Sequence, residues 1–201
     1  MSAKRTIGAS LVAALANGVL RAHDIEARGI PRAQLSRWVD AGALVRVGRG
    51  LYALPDRELG EHESIIHAVT RVASGIVCLL SALRIYELTT QNPPEVWLAL
   101  PRTARTPCLD WPPLRVTRWS GPALTEGVIE SKLDGVPVRI TTAARTVADC
   151  FKHRSTVGLD VAIEALRDYR RRHVGTVDEL IRAAKVCRVQ RVMQPYVEAV
   201  T

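Results

Sequence analysis

The sequence has no apolar run near the ~20 residues that a helix needs to cross a bilayer, so no transmembrane helix is expected. Its opening, Met1-Ser2-Ala3-Lys4-Arg5, is not followed by the apolar stretch and small-residue cleavage site of a signal peptide, so residence in the cytoplasm is expected. The four cysteines, Cys78, Cys108, Cys150 and Cys187, stand apart. None belongs to a Cys-x-x-Cys pair and no His-x-x-x-His accompanies them, so the zinc templates fail and no metal or cofactor is expected. Buried or half-buried free thiols are expected instead. The five histidines are dispersed, and neither a Gly-x-Ser-x-Gly elbow nor a P-loop is present, so those two catalytic signatures are excluded. Aromatic residues are scarce at 4%, yet apolar residues reach 47%, enough for a real core.

A chain of 201 residues is expected to hold one large or two modest domains. Its formal net charge of +8 is unevenly placed. Residues 1–57 carry nine Lys/Arg against four Asp/Glu, residues 58–145 carry nine of each, and residues 146–201 carry ten against seven. Positive ends around a neutral middle point to a polyanionic partner, because neutralising phosphates releases counterions and drives binding.

The first sixty residues show a definite order. Ile7, Leu11, Val12, Leu15 and Ala16 recur at helical spacing and predict a helix ended by Asn17-Gly18. A short helix is predicted from about Ala22 to Ala27, then a turn at Gly29, then a third helix from Pro31 to about Ala41, closed by Gly42. Two β-prone runs around Gly48-Arg49-Gly50 predict a hairpin, with Pro55 closing it. Helix, helix, tight turn, helix and hairpin together read as a winged helix-turn-helix over residues 1–57.

On the third helix Leu35, Trp38 and Val39 share one side, predicted to face inward. Ala33, Ser36, Arg37 and Asp40 fall on the other side, with Arg32 at the N-terminal end and Gln34 on the flank. Such groups suit base edges in a major groove, where Arg pairs with guanine and Gln with adenine. Arg46 and Arg49 on the wing suit phosphates or a minor groove, and Arg21 sits where the second helix begins. A winged helix also serves as a protein-docking module, and that alternative stays open.

Residues 58–201 read as a separate α+β domain, with short antiparallel strands and then a helical C-terminus. A linking helix is predicted over 58–71, and the wholly apolar Ile76 to Leu83 is predicted to lie buried as strand or helix. Strands are predicted at Glu95–Leu100, Leu114–Trp119, Gly127–Leu133 and Val136–Thr141, the last two joined by a turn at Asp134-Gly135. Helices follow at Thr142–Phe151, Leu159–Arg172, after the capping box Thr176-Val177-Asp178-Glu179, and at about Arg191–Val200. Asp110 with Glu130 and Lys132 resembles the metal site of restriction-type nucleases, which keeps a DNA-targeted nuclease as an alternative. Arg167, Arg170, Arg171 and Arg172 lie close together on one predicted helix. Capping of its C-terminus explains one such cation, and the group is read as a second contact surface for nucleic acid or an acidic partner.

Several strings resemble AbiEi-type antitoxins, the transcription-regulating members of type IV toxin–antitoxin (abortive infection) systems. At the front these are Gly29-Ile30-Pro31-Arg32-Ala33-Gln34-Leu35 and Gly48-Arg49-Gly50-Leu51-Tyr52. In the middle they are Val77 to Leu83, Leu88-Thr89-Thr90-Gln91 and Glu95 to Pro101. At the back they are Thr146 to Lys152 and Gly158 to Ala162. Arg84-Ile85-Tyr86-Glu87 departs from the pattern, which carries a His and a Gly there. The resemblance implies a non-enzymatic repressor that binds inverted repeats in double-stranded DNA at its own promoter. It further implies a chain that is a monomer in solution or pairs cooperatively on DNA, and a C-terminal domain that counteracts a nucleotidyltransferase toxin, with an orphan regulator without a toxin as the alternative. DNA contacts are implied for Arg32, Gln34, Ser36, Arg37, Arg46 and Arg49.

Overall fold

The computed structural model describes residues 7–16, 19–48, 50–55 and 61–200. The chain forms two compact units, one of residues 1–71 with 132–137 and one of residues 72–131 with 138–201.

In the first unit α1 (Ala9–Ala16), α2 (Ala22–Glu26) and α3 (Arg32–Asp40) surround a core of Leu11, Leu15, Ile25, Leu35, Trp38, Leu44 and Tyr52. Each large apolar side chain buried there contributes roughly 1.5–3 kcal/mol relative to exposure. Gly29, at φ +80°, makes the turn between α2 and α3, a backbone conformation that costs glycine least. Pro31 is the N-cap of α3 in extended conformation, one place before the first helical position expected for it. Its fixed φ suits either place.

The hairpin forms from β2 (Val45–Gly48) and β3 (Leu51–Ala53), with a bulge between Arg46 and Gly48. A third strand not foreseen from sequence, β1 (Leu20–Arg21), pairs antiparallel with β3 and completes a sheet of order β1-β3-β2. The linking helix α4 (Glu63–Arg71) packs on β2. The fit is close: a Cβ on Gly48 would stand 2.8 Å from the Cβ of Thr70, so only glycine lets the wing lie against α4. The expected helix start at residues 58–60 lies outside the described residues.

The second unit has a five-stranded sheet of order β6-β5-β4-β8-β7, made of β4 (Ile76–Val77), β5 (Val96–Pro101), β6 (Leu114–Trp119), β7 (Val128–Leu133) and β8 (Val136–Thr141). Antiparallel strands were the expectation, and β4–β5 fits it, but β5–β6 and β4–β8 run parallel. The reason lies in the connections. Residues 102–113 join β5 to β6, and a link of that length can cross over where a two-residue hairpin turn cannot. The apolar stretch from Ile76 divides into β4 and α5 (Leu79–Ile85), wholly buried from Ile76 to Leu83 as predicted. Asp134 and Gly135 both take positive φ (+47° and +81°), as a two-residue hairpin turn requires.

Helix α6 (Ala143–Lys152) is central, in contact with α5, α8 (Leu159–Arg171), α9 (Val177–Cys187) and α10 (Gln190–Ala199). A short helix, α7 (Arg154–Val157), precedes α8. Thr176 and Glu179 form the predicted capping box of α9, with the Glu179 backbone N–H donating to Thr176 Oγ1 and the Thr176 N–H donating to Glu179 Oε2. Cys78, Cys150 and Cys187 are buried free thiols, whereas Cys108 is exposed. Cys108 departs from expectation because it sits in the proline-rich 102–113 connection, away from the core elements. Among the described residues no helix is long and apolar enough to cross a membrane.

Candidate nucleic-acid interface

Helix α3 separates its two faces cleanly. Leu35 and Trp38 are buried and Val39 half-buried, which fixes the helix against α1 and α2. Arg32, Ala33, Ser36, Arg37 and Asp40 are exposed, and Gln34 is half-buried on the flank. At 3.6 residues per turn, Arg32 and Arg37 stand about 140° apart around the axis, one at each rim of the outward face. Arg32 is held: its Nε lies 3.0 Å from Glu26 Oε1 across the turn from α2. Arg37 is exposed and has no side-chain partner among the described residues.

Arg46 is exposed on β2, and its Nε donates to the Gly48 carbonyl at 3.2 Å, bracing the bulge at the foot of the wing. Arg49, predicted at the wing tip, lies outside the described residues. Arg21 is exposed at the N-cap of α2 and stands opposite Leu51 on β3, so it emerges beside the wing. The Ala22 N–H donates to the Gly50 carbonyl at 2.8 Å, which ties the start of α2 to the wing turn. Arg21, Arg32, Gln34, Ser36, Arg37 and Arg46 are thus all carried by α3, the wing and the strand paired with it. Glu26 was missed in the sequence. An acid six residues before an arginine gives no helical-pair signal when a turn lies between them.

The second arginine group, in the second unit, is divided. Arg167 is exposed and Arg170 half-buried. Arg171 pairs with Asp168 at 2.8 Å, and Arg172 is bonded to the carboxylate and carbonyl of Glu87. Two of the four cations are therefore partly neutralised within the unit.

The nuclease-like residues are not brought together. Glu130 and Lys132 are exposed on β7, one edge of the sheet, while Asp110 precedes β6, the opposite edge. Four strand spacings of about 4.8 Å separate those edges. A deeper polar feature lies inside α6, where Arg145 and Asp149 pair at 2.9 Å with both side chains buried. Arg145 also donates to the Glu126 carbonyl and lies over the Trp119 ring at 5.0 Å, while the Cys187 thiol donates to Asp149 at 3.1 Å. Burial pushes the Asp149 carboxyl above its usual range, against the pull of Arg145. It pushes the Cys78, Cys150 and Cys187 thiols up as well, so none of the three is a ready thiolate.

Three helices, a three-stranded sheet and an outward basic helix define a winged helix-turn-helix, the architecture of a DNA-binding regulator. Residues 10–55, which span these elements, match the family described as transcriptional regulator, AbiEi antitoxin. Among solved structures the chain is similar to the RV2827C protein from Mycobacterium tuberculosis, with a TM-score of 0.51 and 16% identity. That likeness covers 98% of this chain and 83% of the other, and it shows a shared fold. No curated protein matches the chain.

Proposed function

We propose that this protein is the antitoxin of a type IV toxin–antitoxin system and represses its own operon. The observation that carries the reading is the outward face of α3, with Arg32 and Arg37 at its two rims and Arg46 on the adjoining wing, in a segment matching a regulator family. In this reading α3 enters the major groove of inverted repeats in the promoter, and two monomers pair cooperatively on the duplex. The wing and Arg21 hold phosphates or a minor groove. The second unit counteracts a nucleotidyltransferase toxin in phage defence, in the cytoplasm. The protein acts by binding and not by catalysis, a reading supported by Glu130 lying on the edge strand β7 while Asp110 lies in the connection that leads into β6, the opposite edge strand.

Footprinting of the purified chain on DNA upstream of its own start codon tests the repressor. Protection of two symmetric half-sites is expected, with affinity falling steeply between low and moderate salt. A salt-independent interaction with protein alone would favour the docking-module reading instead. Co-expression with the product of a neighbouring nucleotidyltransferase frame, read as growth rescue, tests the antitoxin part.

A further inference from the structure

The ion pair between Glu26, the last residue of α2, and Arg32, the first of α3, is open to solvent, with Glu26 half-buried and Arg32 exposed at side-chain exposures of 36% and 72%. Exposed pairs of this kind contribute about 0–1 kcal/mol to stability. The turn it spans is already held by its backbone: the Gly29 N–H donates to the Glu26 carbonyl at 2.8 Å, and Ile25 and Leu35 are buried on either side. The fold therefore has little need of the pair.

Both charges are also misplaced by local rules. A carboxylate at a helix C-terminus and a cation at a helix N-terminus each oppose the peptide dipoles. The two mismatches offset one another only when the side chains meet. Departures from local preference are expected at functional or strained positions.

We infer that Glu26 is a positioning residue for base recognition, which it serves by fixing the guanidinium of Arg32. The inference rests on the DNA-binding reading above. A guanidinium has one Nε–H and two terminal Nη groups in a rigid plane. With Nε facing Glu26 at 3.0 Å, the Nη pair is left as the free fork. That fork matches O6 and N7 of guanine end-on in the major groove. A free arginine loses rotamer entropy on docking, whereas one already tethered loses less. Arg32 is thereby the fixed reader of one base pair, and Arg37, without a partner among the described residues, the adaptable one.

Selection of bound duplexes from a random library, followed by anisotropy titrations on duplexes altered one pair at a time, tests this with the full chain. Arg32→Ala is expected to lower the preference for guanine at one position by roughly fivefold to a hundredfold. Glu26→Gln is expected to weaken the preference at that same position and at no other. Affinity for non-specific duplex should not fall, because the variant removes a negative charge beside the phosphates, and the melting temperature should stay unchanged. The Glu26→Gln, Arg32→Ala double variant should discriminate no less than Arg32→Ala alone. Glu26→Ala serves as a second variant and should behave like Glu26→Gln. The inference is overturned if Glu26→Gln keeps the preference that Arg32→Ala loses, if its losses spread evenly over the site, or if Arg32→Ala alters no position. A wild-type chain without any sequence preference would overturn the DNA reading itself, and so is distinguishable from those results.

Discussion

Arg145 donates from Nε to Asp149 Oδ2 at 2.9 Å one helical turn further along α6, with both side chains at 2% exposure or less. Breaking a buried pair leaves one uncompensated charge in a low-dielectric interior, which costs about 3–5 kcal/mol. Asp149→Ala is therefore expected to lower stability by about that much in urea unfolding, since it strands the guanidinium. The double variant Arg145→Met, Asp149→Leu should recover much of the loss, because replacing both partners with apolar groups removes the stranded charge. Equal damage from the single and double variants would show that the pair is not what the core requires.

Stability should fall in mild acid. Burial lowers the pKa of His153 from its ordinary 6.5, opposed by Asp149 and helped by Lys152, and its Nε2 is buried without a hydrogen-bond partner among the described residues. The unfolded chain binds a proton below pH 6.5 that the folded chain refuses, so stability is full above 6.5 and is lost as pH falls towards the lowered value. Melting temperatures from pH 7.5 to 5 should drop below 6.5, and His153→Gln should flatten part of the slope. His67, lowered by burial and by Arg71, acts in the same direction, while the raised carboxyl of Asp149 works against both.

The two arginines that face outward from α3 and the wing should fail differently. Arg37→Ala should weaken binding to the cognate site by about 1–3 kcal/mol and relax preference at one base pair. Arg46→Ala should weaken all duplexes alike and reduce the slope of log affinity against log salt by about 1. Titrations at four salt concentrations on cognate and scrambled duplexes would reveal whether the roles are reversed.

At the α9 capping box the expected effect is smaller. Thr176→Ala removes the acceptor for the Glu179 N–H and should cost about 0.5–2 kcal/mol of stability, with DNA affinity unchanged. Thr176→Ser should restore it.

Much of this architecture is legible from local pattern. Strands β6 and β8 fall at the residues expected for them, α6, α8 and α10 lie within one or two residues of their expected bounds, and α9 starts directly after its expected cap. Each is specified by its own periodicity or cap. What escaped depends on distant partners. Two residues, Leu20 and Arg21, become a strand only because β3 lies beside them. The parallel pairings of β5 with β6 and of β4 with β8 join stretches with no shared local signal. At the interface, the sidedness of α3 followed from Leu35 and Trp38, which anchor the buried face. Glu26 did not follow, because its partner is reached across a turn. The Arg145–Asp149 spacing of four was visible, but charges on a helix are ordinarily solvated, so their burial was not.

Residues 132–137 belong to the first unit, where the Val19 N–H donates to the Asp134 carbonyl at 3.0 Å and a Cβ on Gly135 would stand 2.5 Å from the Val19 carbonyl oxygen. The module is therefore encoded in two separated stretches. A transplant of residues 1–71 alone would carry every helix and the wing, yet deprive Val19 of its acceptor. Anyone grafting this reading head onto another protein needs the six-residue clip as well.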